Sequence, residues 1–220
     1  MFAAYSAGML LAAAMAVSSP SMGQTVEAPK VSPGDTWKYQ TVDQWSGRPK
    51  TEAMFTVLGV TEQYVRMEIE MRSFAANGKP TRYPPFEMTN HANLDMVHVA
   101  NGKNSTRVNF AWPLFPGKQW RYEYAISTPD NRITTTFRMA AEVTGWEDVE
   151  TSAGRFRALK VVHTGTADAG PSVGVGKNAW TSWYSPEAKN YVRYQVEVTG
   201  PDGAPGLREV SELTAITVRP

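Results

Sequence analysis

The sequence Pro116-Gly117-Lys118-Gln119-Trp120-Arg121-Tyr122-Glu123-Tyr124 decides the fold class of this chain. A Pro-Gly pair is a turn signal. After it, Trp120, Tyr122 and Tyr124 recur at every second position, which places them on one face of an extended segment. Aromatic residues in this pattern are typical of a β-strand. We therefore predict a turn that leads directly into a strand.

The same pattern occurs 83 positions earlier in the chain. The matching residues are Pro33, Gly34, Trp37, Lys38 and Tyr39, which correspond to Pro116, Gly117, Trp120, Arg121 and Tyr122. A turn and strand repeated with the same internal spacing indicates a duplicated layout. We predict two pseudo-repeats, over about residues 33–112 and 116–218.

The rest of the chain after residue 25 also has the pattern of strands. In Tyr64–Arg72, four apolar residues alternate with charged ones, which predicts a strand with one buried and one solvated face. No long window shows the 3.6-residue period of a helix. Roughly eleven strands joined by short turns predict an all-β fold. We expect a single domain over residues 25–220, formed by a large curved antiparallel sheet, a half-barrel or a sandwich.

Residues 1–24 have the features of a secretory signal peptide. Phe2–Val17 is apolar and rich in small residues, and no charge precedes Glu27. The apolar run is shorter than the roughly 20 residues that span a bilayer, and small residues follow it as possible cleavage sites. An uncleaved membrane anchor is the alternative, because the first residues lack Lys and Arg. The signal peptide predicts a periplasmic or secreted protein with no transmembrane span after cleavage.

Composition excludes several classes of function. The net charge is +1, and there is no basic stripe, so we expect no binding to nucleic acid. The chain has no cysteine, which excludes disulfides, thiolate metal sites and a cysteine nucleophile. The apolar content of 42% is ordinary, and the aromatic residues, 11% of the chain, lie mostly in alternating segments, which favours strands over helices.

The short motifs that resemble catalytic or metal sites are incomplete. Gly170-Pro171-Ser172-Val173-Gly174 has the form of a hydrolase nucleophile motif, but no histidine follows it and no helix is predicted after it. His91, Asp95 and His98 are the nearest approach to a metal-ligand set, and their spacing does not match a known site. We predict no catalytic residues, no metal and no cofactor, and we expect a non-enzymatic protein.

Aromatic side chains are the remaining candidates for a site. They could line a cleft for an apolar ligand, or they could simply form the hydrophobic core. The candidate ligand-binding residues are Trp37, Tyr39, Trp120, Tyr122, Trp180, Trp183 and Tyr194.

The C-terminal half resembles a known group of proteins. Trp183-Tyr184-Ser185-Pro186-Glu187, followed by Val192-Arg193, is similar to the C-terminal signature of a family of exported bacterial β-proteins of unknown function. Ala153-Gly154 and the segment Phe156–Lys160 also match that family, and the similarity covers roughly residues 116–198. The resemblance implies an envelope or secreted location and a curved antiparallel sheet, related by analogy to lipoprotein-carrier half-barrels. It brings no known activity.

Three functional hypotheses remain. The first is a binding or scaffold protein whose concave β-surface holds an apolar or amphipathic ligand, such as a lipid, or an envelope protein. The second is a structural or interaction subunit of an envelope assembly that docks through the charged face of Arg66, Glu68, Glu70 and Arg72. The third, a hydrolase that uses Ser172, has the least support.

Overall fold

The computed structural model describes residues 25–219, so the predicted signal peptide lies outside the described residues. Within this range the chain forms thirteen β-strands and no helix. The strands are β1 (Thr36–Asp43), β2 (Pro49–Val60), β3 (Tyr64–Phe74), β4 (Pro80–Arg82), β5 (Phe86–His91), β6 (Met96–Ala100), β7 (Lys103–Arg107), β8 (Gln119–Ser127), β9 (Thr134–Thr151), β10 (Gly154–Asp168), β11 (Val175–Ser185), β12 (Asn190–Thr199) and β13 (Pro205–Thr217).

All of these strands belong to one sheet. Twelve of them follow the order β7-β6-β5-β3-β2-β1-β13-β12-β11-β10-β9-β8, and β4 pairs with β3 beside this path. Every pairing is antiparallel, and β1 joins the two halves of the chain by pairing with β13, where Trp37 lies opposite Ile216. The predicted fold class, an all-β protein with a large curved antiparallel sheet, is confirmed.

The two outer strands of the path, β7 and β8, approach each other without forming a regular ladder. The Ala125 amide donates to Ser105 Oγ at 2.7 Å. Two residues further along β8, Ser127 Oγ accepts a hydrogen bond from the amide of Asn101, in the turn before β7, at 3.0 Å. Because side chains connect the two edges, the sheet is nearly closed and barrel-shaped, and it encloses an interior.

The two Pro-Gly turns have the same backbone geometry. Gly34 and Gly117 have φ angles of 90° and 87°, a region that favours glycine because it has no Cβ. The Gly34 amide donates to the Val57 carbonyl at 2.8 Å, and the Gly117 amide donates to the Val143 carbonyl at 2.7 Å. In both turns the acceptor residue donates its own amide to the residue after the glycine, at 2.9 Å. The turn therefore occurs twice, while a duplication of the whole halves stays a prediction.

Side-chain burial follows the alternation that the sequence shows. Val65, Met67 and Ile69 of β3 are buried, whereas Arg66 and Glu70 are exposed. This pattern turns the apolar face of the strand toward the interior and its charged face toward solvent.

Three clusters of buried residues form the core, and Trp37 and Trp120 pack in different ones. The first contains Trp37, Tyr39, Val65, Met67, Trp183, Val192 and Leu213. The second contains Val26, Phe110, Leu114, Val143, Leu159, Val161 and Tyr184, with Trp120 packed against it. The third contains Tyr124, Met139 and Trp180, with Tyr122 and Tyr194 packed against it.

One segment is more regular than its composition suggests. Residues 166–177 are rich in small residues, which predicts a loop, yet β10 extends to Asp168 and β11 begins opposite it at Val175. The small residues allow close approach of neighbouring strands, since a Cβ atom on Gly176 would lie 2.6 Å from the Thr199 carbonyl oxygen. The small side chains of this segment therefore let neighbouring strands pack closely. The loop itself is only the short turn at residues 169–174.

Candidate functional site

A cavity of about 270 Å³ lies inside the curved sheet, and both halves of the chain contribute to its walls. Most of the lining is aromatic or aliphatic, with a few polar groups, as is usual for small-molecule sites. The apolar lining residues are Tyr39, Phe55, Met67, Met88, Leu94, Met96, Phe110, Trp180, Tyr191 and Tyr194, and the polar ones are Asn90, Arg107, Asn109, Ser182, Asn190 and Ser211.

One row of lining residues crosses β5, β6 and β7. Asn90 lies directly opposite Met96, and Met96 lies directly opposite Arg107. Directly opposite residues in neighbouring strands present their side chains on the same face of a sheet. The ladder register thus directs an amide, a thioether and a guanidinium into the same space.

A second row crosses β11, β12 and β13. Ser182 lies opposite Tyr194, and Tyr194 lies opposite Ser211. The two rows meet where Arg107 Nη2 donates a hydrogen bond to Tyr194 Oη at 2.8 Å. This bond links the first half of the chain to the second across the interior.

Arg107 is the single charged side chain among the described residues that line the cavity. Its guanidinium carbon lies 4.1 Å from the centroid of the Trp180 ring and 5.6 Å from that of Tyr194. No Asp or Glu within residues 25–219 forms a salt bridge with it. Two aromatic rings therefore hold the cation in place of a carboxylate.

Three buried polar atoms of the lining have no hydrogen-bond partner within the described part of the chain. They are Arg107 Nε, Asn90 Oδ1 and Ser182 Oγ. An unsatisfied buried donor or acceptor costs roughly 1–3 kcal/mol. The lining thus offers polar groups that a bound molecule can satisfy.

The neighbouring titratable groups do not balance the charge of Arg107. His163 stacks on Trp180 with ring centroids 5.0 Å apart, and its Nδ1 lies 2.9 Å from Tyr122 Oη. Burial, and then the positive charge of Arg107, lowers the pKa of His163 to about 3, so the imidazole is neutral at pH 7. Burial also raises the pKa of Tyr124 to about 12, which keeps this phenol uncharged. The interior around Arg107 therefore carries one uncompensated positive charge.

The structure brings three of the seven candidate aromatic residues to the cavity. Tyr39, Trp180 and Tyr194 all line it. Tyr39 also donates to the Tyr191 carbonyl at 2.8 Å and stacks on the Tyr191 ring. A ligand-binding role for these residues remains a prediction.

The other four candidates lie outside the cavity lining. Trp37 is fully buried, and its Nε1 donates to the Ala188 carbonyl at 2.7 Å. Tyr122 packs behind Trp180, and Trp120 borders a separate surface groove. Trp183 donates from Nε1 to the Glu147 carboxylate at 2.7 Å. These side chains support the walls of the interior.

Sequence reasoning did not single out Arg107, Asn90 or Ser182. One signal was present for Arg107, which is the only charged residue between Lys103 and Lys118. Asn90 and Ser182 had no such signal, because their approach depends on the pairing of strands that lie far apart in sequence.

The incomplete motifs do not assemble into reactive sites. Ser172 is exposed in the turn between β10 and β11, and no described histidine forms a hydrogen bond with it. Ser182, inside the cavity, lacks a hydrogen-bonded base that would activate it. Within residues 25–219, no three His, Asp or Glu side chains converge as metal ligands. The arrangement in the cavity suits binding by contact and hydrogen bonding.

No protein-family model and no curated protein sequence matches this chain. Among solved structures, a "putative lipoprotein" from Parabacteroides distasonis ATCC 8503 is similar with a TM-score of 0.56 and 15% identity, over 89% of this chain and 100% of that one. A "putative exported protein with YmcC-like fold" from Bacteroides fragilis NCTC 9343 gives a TM-score of 0.47 and 15% identity, over 88% of this chain and 99% of that one. The "hypothetical lipoprotein YmcC" from Escherichia coli K12 gives 0.41 and 11%, over 83% and 84%.

At 15% identity, the first of these similarities establishes a common fold. In the part of the chain that the structure describes, no helix meets the length and hydropathy of a membrane span.

Proposed function

We propose that this chain is an exported, non-enzymatic protein that binds an apolar or amphipathic ligand inside its curved sheet. The observation that carries the proposal is the cavity of about 270 Å³, whose walls are mainly aromatic and methionine side chains. Methionine side chains adapt to irregular ligands, and buried aromatic rings offer large apolar contact area. A core that served stability alone would be filled, because interiors normally pack without voids much larger than a water molecule.

Two further observations support an exported location. Residues 1–24 have the pattern of a signal peptide. The similar fold from P. distasonis is that of a "putative lipoprotein", which is consistent with an envelope location. We therefore place this protein in the periplasm or outside the cell, where a carrier for poorly soluble molecules has an evident use.

A binding assay with a blocked variant tests the proposal. The neutral fluorophore N-phenyl-1-naphthylamine should bind the purified protein saturably, at one site per chain. Ser182→Phe puts a bulky ring into the cavity and should abolish binding. Thr181→Phe is the matched control, since adjacent strand residues face opposite sides of a sheet and Thr181 does not line the cavity. Equal binding by both variants, at unchanged melting temperature, would exclude the cavity as the site.

The docking alternative receives less support from the charged face of β3. Arg72 donates to the Glu52 carboxylate at 2.6 Å, and Arg66 lies 3.6 Å from Glu87. The Arg66–Glu87 pair is exposed, and ion pairs of this kind contribute little energy and are typical of a solvated surface. Because both arginines of this face already have partners within the chain, they are less available to bind another protein.

A further inference from the structure

We infer that the ligand carries an oxyanion head group that binds Arg107, and a single apolar chain that lies among the methionine and aromatic side chains of the cavity. This inference rests on the proposed binding function and adds the chemical class of the ligand. A carboxylate and a phosphate monoester share the required chemistry.

The first support is the unpaired charge. A guanidinium is protonated at all relevant pH values, and a buried charge is normally paired with an opposite charge. Arg107 lines the cavity without a salt bridge to any described residue, and its Nε is buried without a partner. An anionic head group supplies the counter-charge that the described chain does not.

The second support is the way the guanidinium is held. Trp180 lies against it at 4.1 Å, and Tyr194 accepts one hydrogen bond from Nη2. These contacts fix the plane of the guanidinium, and its Nε is buried without a partner in the described part of the chain. A planar arginine fork matches the two oxygens of a carboxylate or phosphate. The site is thus arranged in advance for an oxyanion.

The third support is the position of the other unsatisfied groups. Ser182 lies directly opposite Tyr194, the hydrogen-bond partner of Arg107, so its hydroxyl can donate to an anion beside the guanidinium. Asn90 belongs to the same row as Arg107, across β5, β6 and β7, and lies two strands away from it. With strands about 4.8 Å apart, this separation is roughly 10 Å. Asn90 can therefore reach a second polar atom of the ligand but not the same oxygen.

The volume of the cavity and its apolar lining indicate the length and number of apolar chains that the ligand can have. Phe55, Met67, Met88 and Met96 provide apolar surface beside the polar groups. The volume of about 270 Å³ is slightly below the range of about 300–1,000 Å³ usual for small-molecule pockets. This space suits one medium-length acyl or alkyl chain and excludes a lipid with several chains.

Cationic amphiphiles are excluded by the same charge. Burial raises the pKa of Tyr124 to about 12, so this phenol stays uncharged, and the nearby His98 and His163 have no negative form at ordinary pH. None of these side chains becomes a negative group that could receive a cation. Arg107 would repel an ammonium head group inside a cavity of low dielectric constant.

Competition with three ligands of the same chain length tests the inference. Decanoate, monodecyl phosphate and 1-decanol should each displace N-phenyl-1-naphthylamine from the purified protein. At least one oxyanion should bind about tenfold or more tightly than the alcohol, because charge-assisted hydrogen bonds are stronger than neutral ones. The oxyanion that binds more tightly identifies the source of the head group.

Arginine variants then locate the effect. Arg107→Gln should weaken the preferred oxyanion by about 10- to 100-fold while changing the affinity for 1-decanol by less than about threefold. Arg107→Lys keeps the charge without the fork and should give an intermediate loss for the oxyanion. Arg155→Gln removes an exposed arginine that does not line the cavity and should change neither affinity.

The outcomes separate the two proposals. If no ligand displaces the fluorophore, or the fluorophore itself does not bind, the binding function and this inference both fail. If 1-decanol binds as tightly as both oxyanions, or Arg107→Gln leaves their affinity unchanged, the inference fails while the binding function stands. If Arg107→Gln also weakens the binding of 1-decanol, the Arg107→Lys variant decides. A loss of affinity for the oxyanion alone supports the inference, whereas unchanged affinity for both ligands overturns it.

Discussion

Trp37 and Trp120 begin two strands with the same local sequence, yet the structure uses them differently. Trp37 is fully buried, and its Nε1 donates to the Ala188 carbonyl at 2.7 Å. Trp120 is only partly buried, and its Nε1 donates to the Val108 carbonyl at a longer 3.3 Å. β1 lies in the middle of the sheet with a neighbour on each side, whereas β8 is the last strand of the path. The local sequence sets the turn and the strand, and the position in the sheet sets the burial.

The tyrosines that follow the two tryptophans also differ, in their hydrogen-bond partners. Tyr39 donates to a backbone carbonyl, that of Tyr191, at 2.8 Å. Tyr122, at the matching position, has the His163 ring as its partner at 2.9 Å. The hydrogen-bond partner of the tyrosine in β1 is therefore a backbone group that does not titrate, while the partner of the tyrosine in β8 is an ionisable side chain. The two regions should respond differently to mutation and to acid.

The largest expected effect is the loss of the Trp37 side chain. Trp37→Ala should lower the free energy of unfolding by about 3–5 kcal/mol, because it leaves a large cavity in the core and an unpaired Ala188 carbonyl. Trp120→Ala should cost roughly half as much, because the ring is partly exposed. Urea unfolding followed by far-ultraviolet circular dichroism measures both. Equal losses for the two variants would show that strand position does not control their contribution.

This contrast marks how far the sequence predicts the fold. The alternation in Tyr64–Arg72 and the Pro-Gly turns correctly indicate strands and an all-β sheet, because side-chain period and turn chemistry are local properties. The pairing of β1 with β13 is not visible locally, since it joins opposite ends of the described chain. The full burial of Trp37 depends on that pairing, and the partial burial of Trp120 depends on the place of β8 at the end of the path. The sequence alone therefore treats the two indoles as equivalent.

The candidate site was less predictable than the fold. Aromatic residues are frequent enough to suggest a ligand wall, and Tyr39, Trp180 and Tyr194 do line the cavity. The two cross-strand rows bring the side chains of Arg107, Asn90 and Ser182 to the cavity, and these rows depend on the register of the ladder. A one-residue shift in register would turn each of these side chains to the opposite face.

A second, smaller effect is acid sensitivity in the Trp120 region. The pKa of His163 is about 3 in the folded protein, against an ordinary value of about 6.5 in the unfolded chain. The unfolded state therefore binds a proton that the folded state does not, and the free energy of unfolding falls as the pH drops from about 6.5 toward 3. Between pH 7 and pH 5 the expected loss is about 2 kcal/mol, over a range where most carboxylates remain ionised.

His163→Gln tests this assignment, since glutamine still offers Tyr122 a hydrogen-bond partner but does not titrate. Urea unfolding at pH 7 and pH 5 should show a smaller difference in the variant than in the wild-type protein. His98→Gln serves as a comparison, because burial followed by the charge of Arg107 also lowers the pKa of His98, although this side chain is more accessible than His163. An unchanged pH dependence in His163→Gln would place the acid sensitivity elsewhere.

The smallest expected difference concerns the glycines of the two turns. Gly34→Ala and Gly117→Ala each force a side chain into the left-handed region, at a cost of about 1–2 kcal/mol. A Cβ atom on Gly34 would lie 3.1 Å from the end of the flexible Arg219 side chain, whereas nothing lies within 4 Å of one on Gly117. Because Arg219 can move aside, the loss of the free energy of unfolding for Gly34→Ala should exceed that for Gly117→Ala by only a few tenths of a kcal/mol.

Gly78→Ala, in an open turn with a φ of 78°, measures the backbone penalty alone. If the first two variants match this reference in urea unfolding, the turns are locally equivalent, and the difference between Trp37 and Trp120 arises from the sheet; a much larger cost for Gly34→Ala would place that difference in the turn itself.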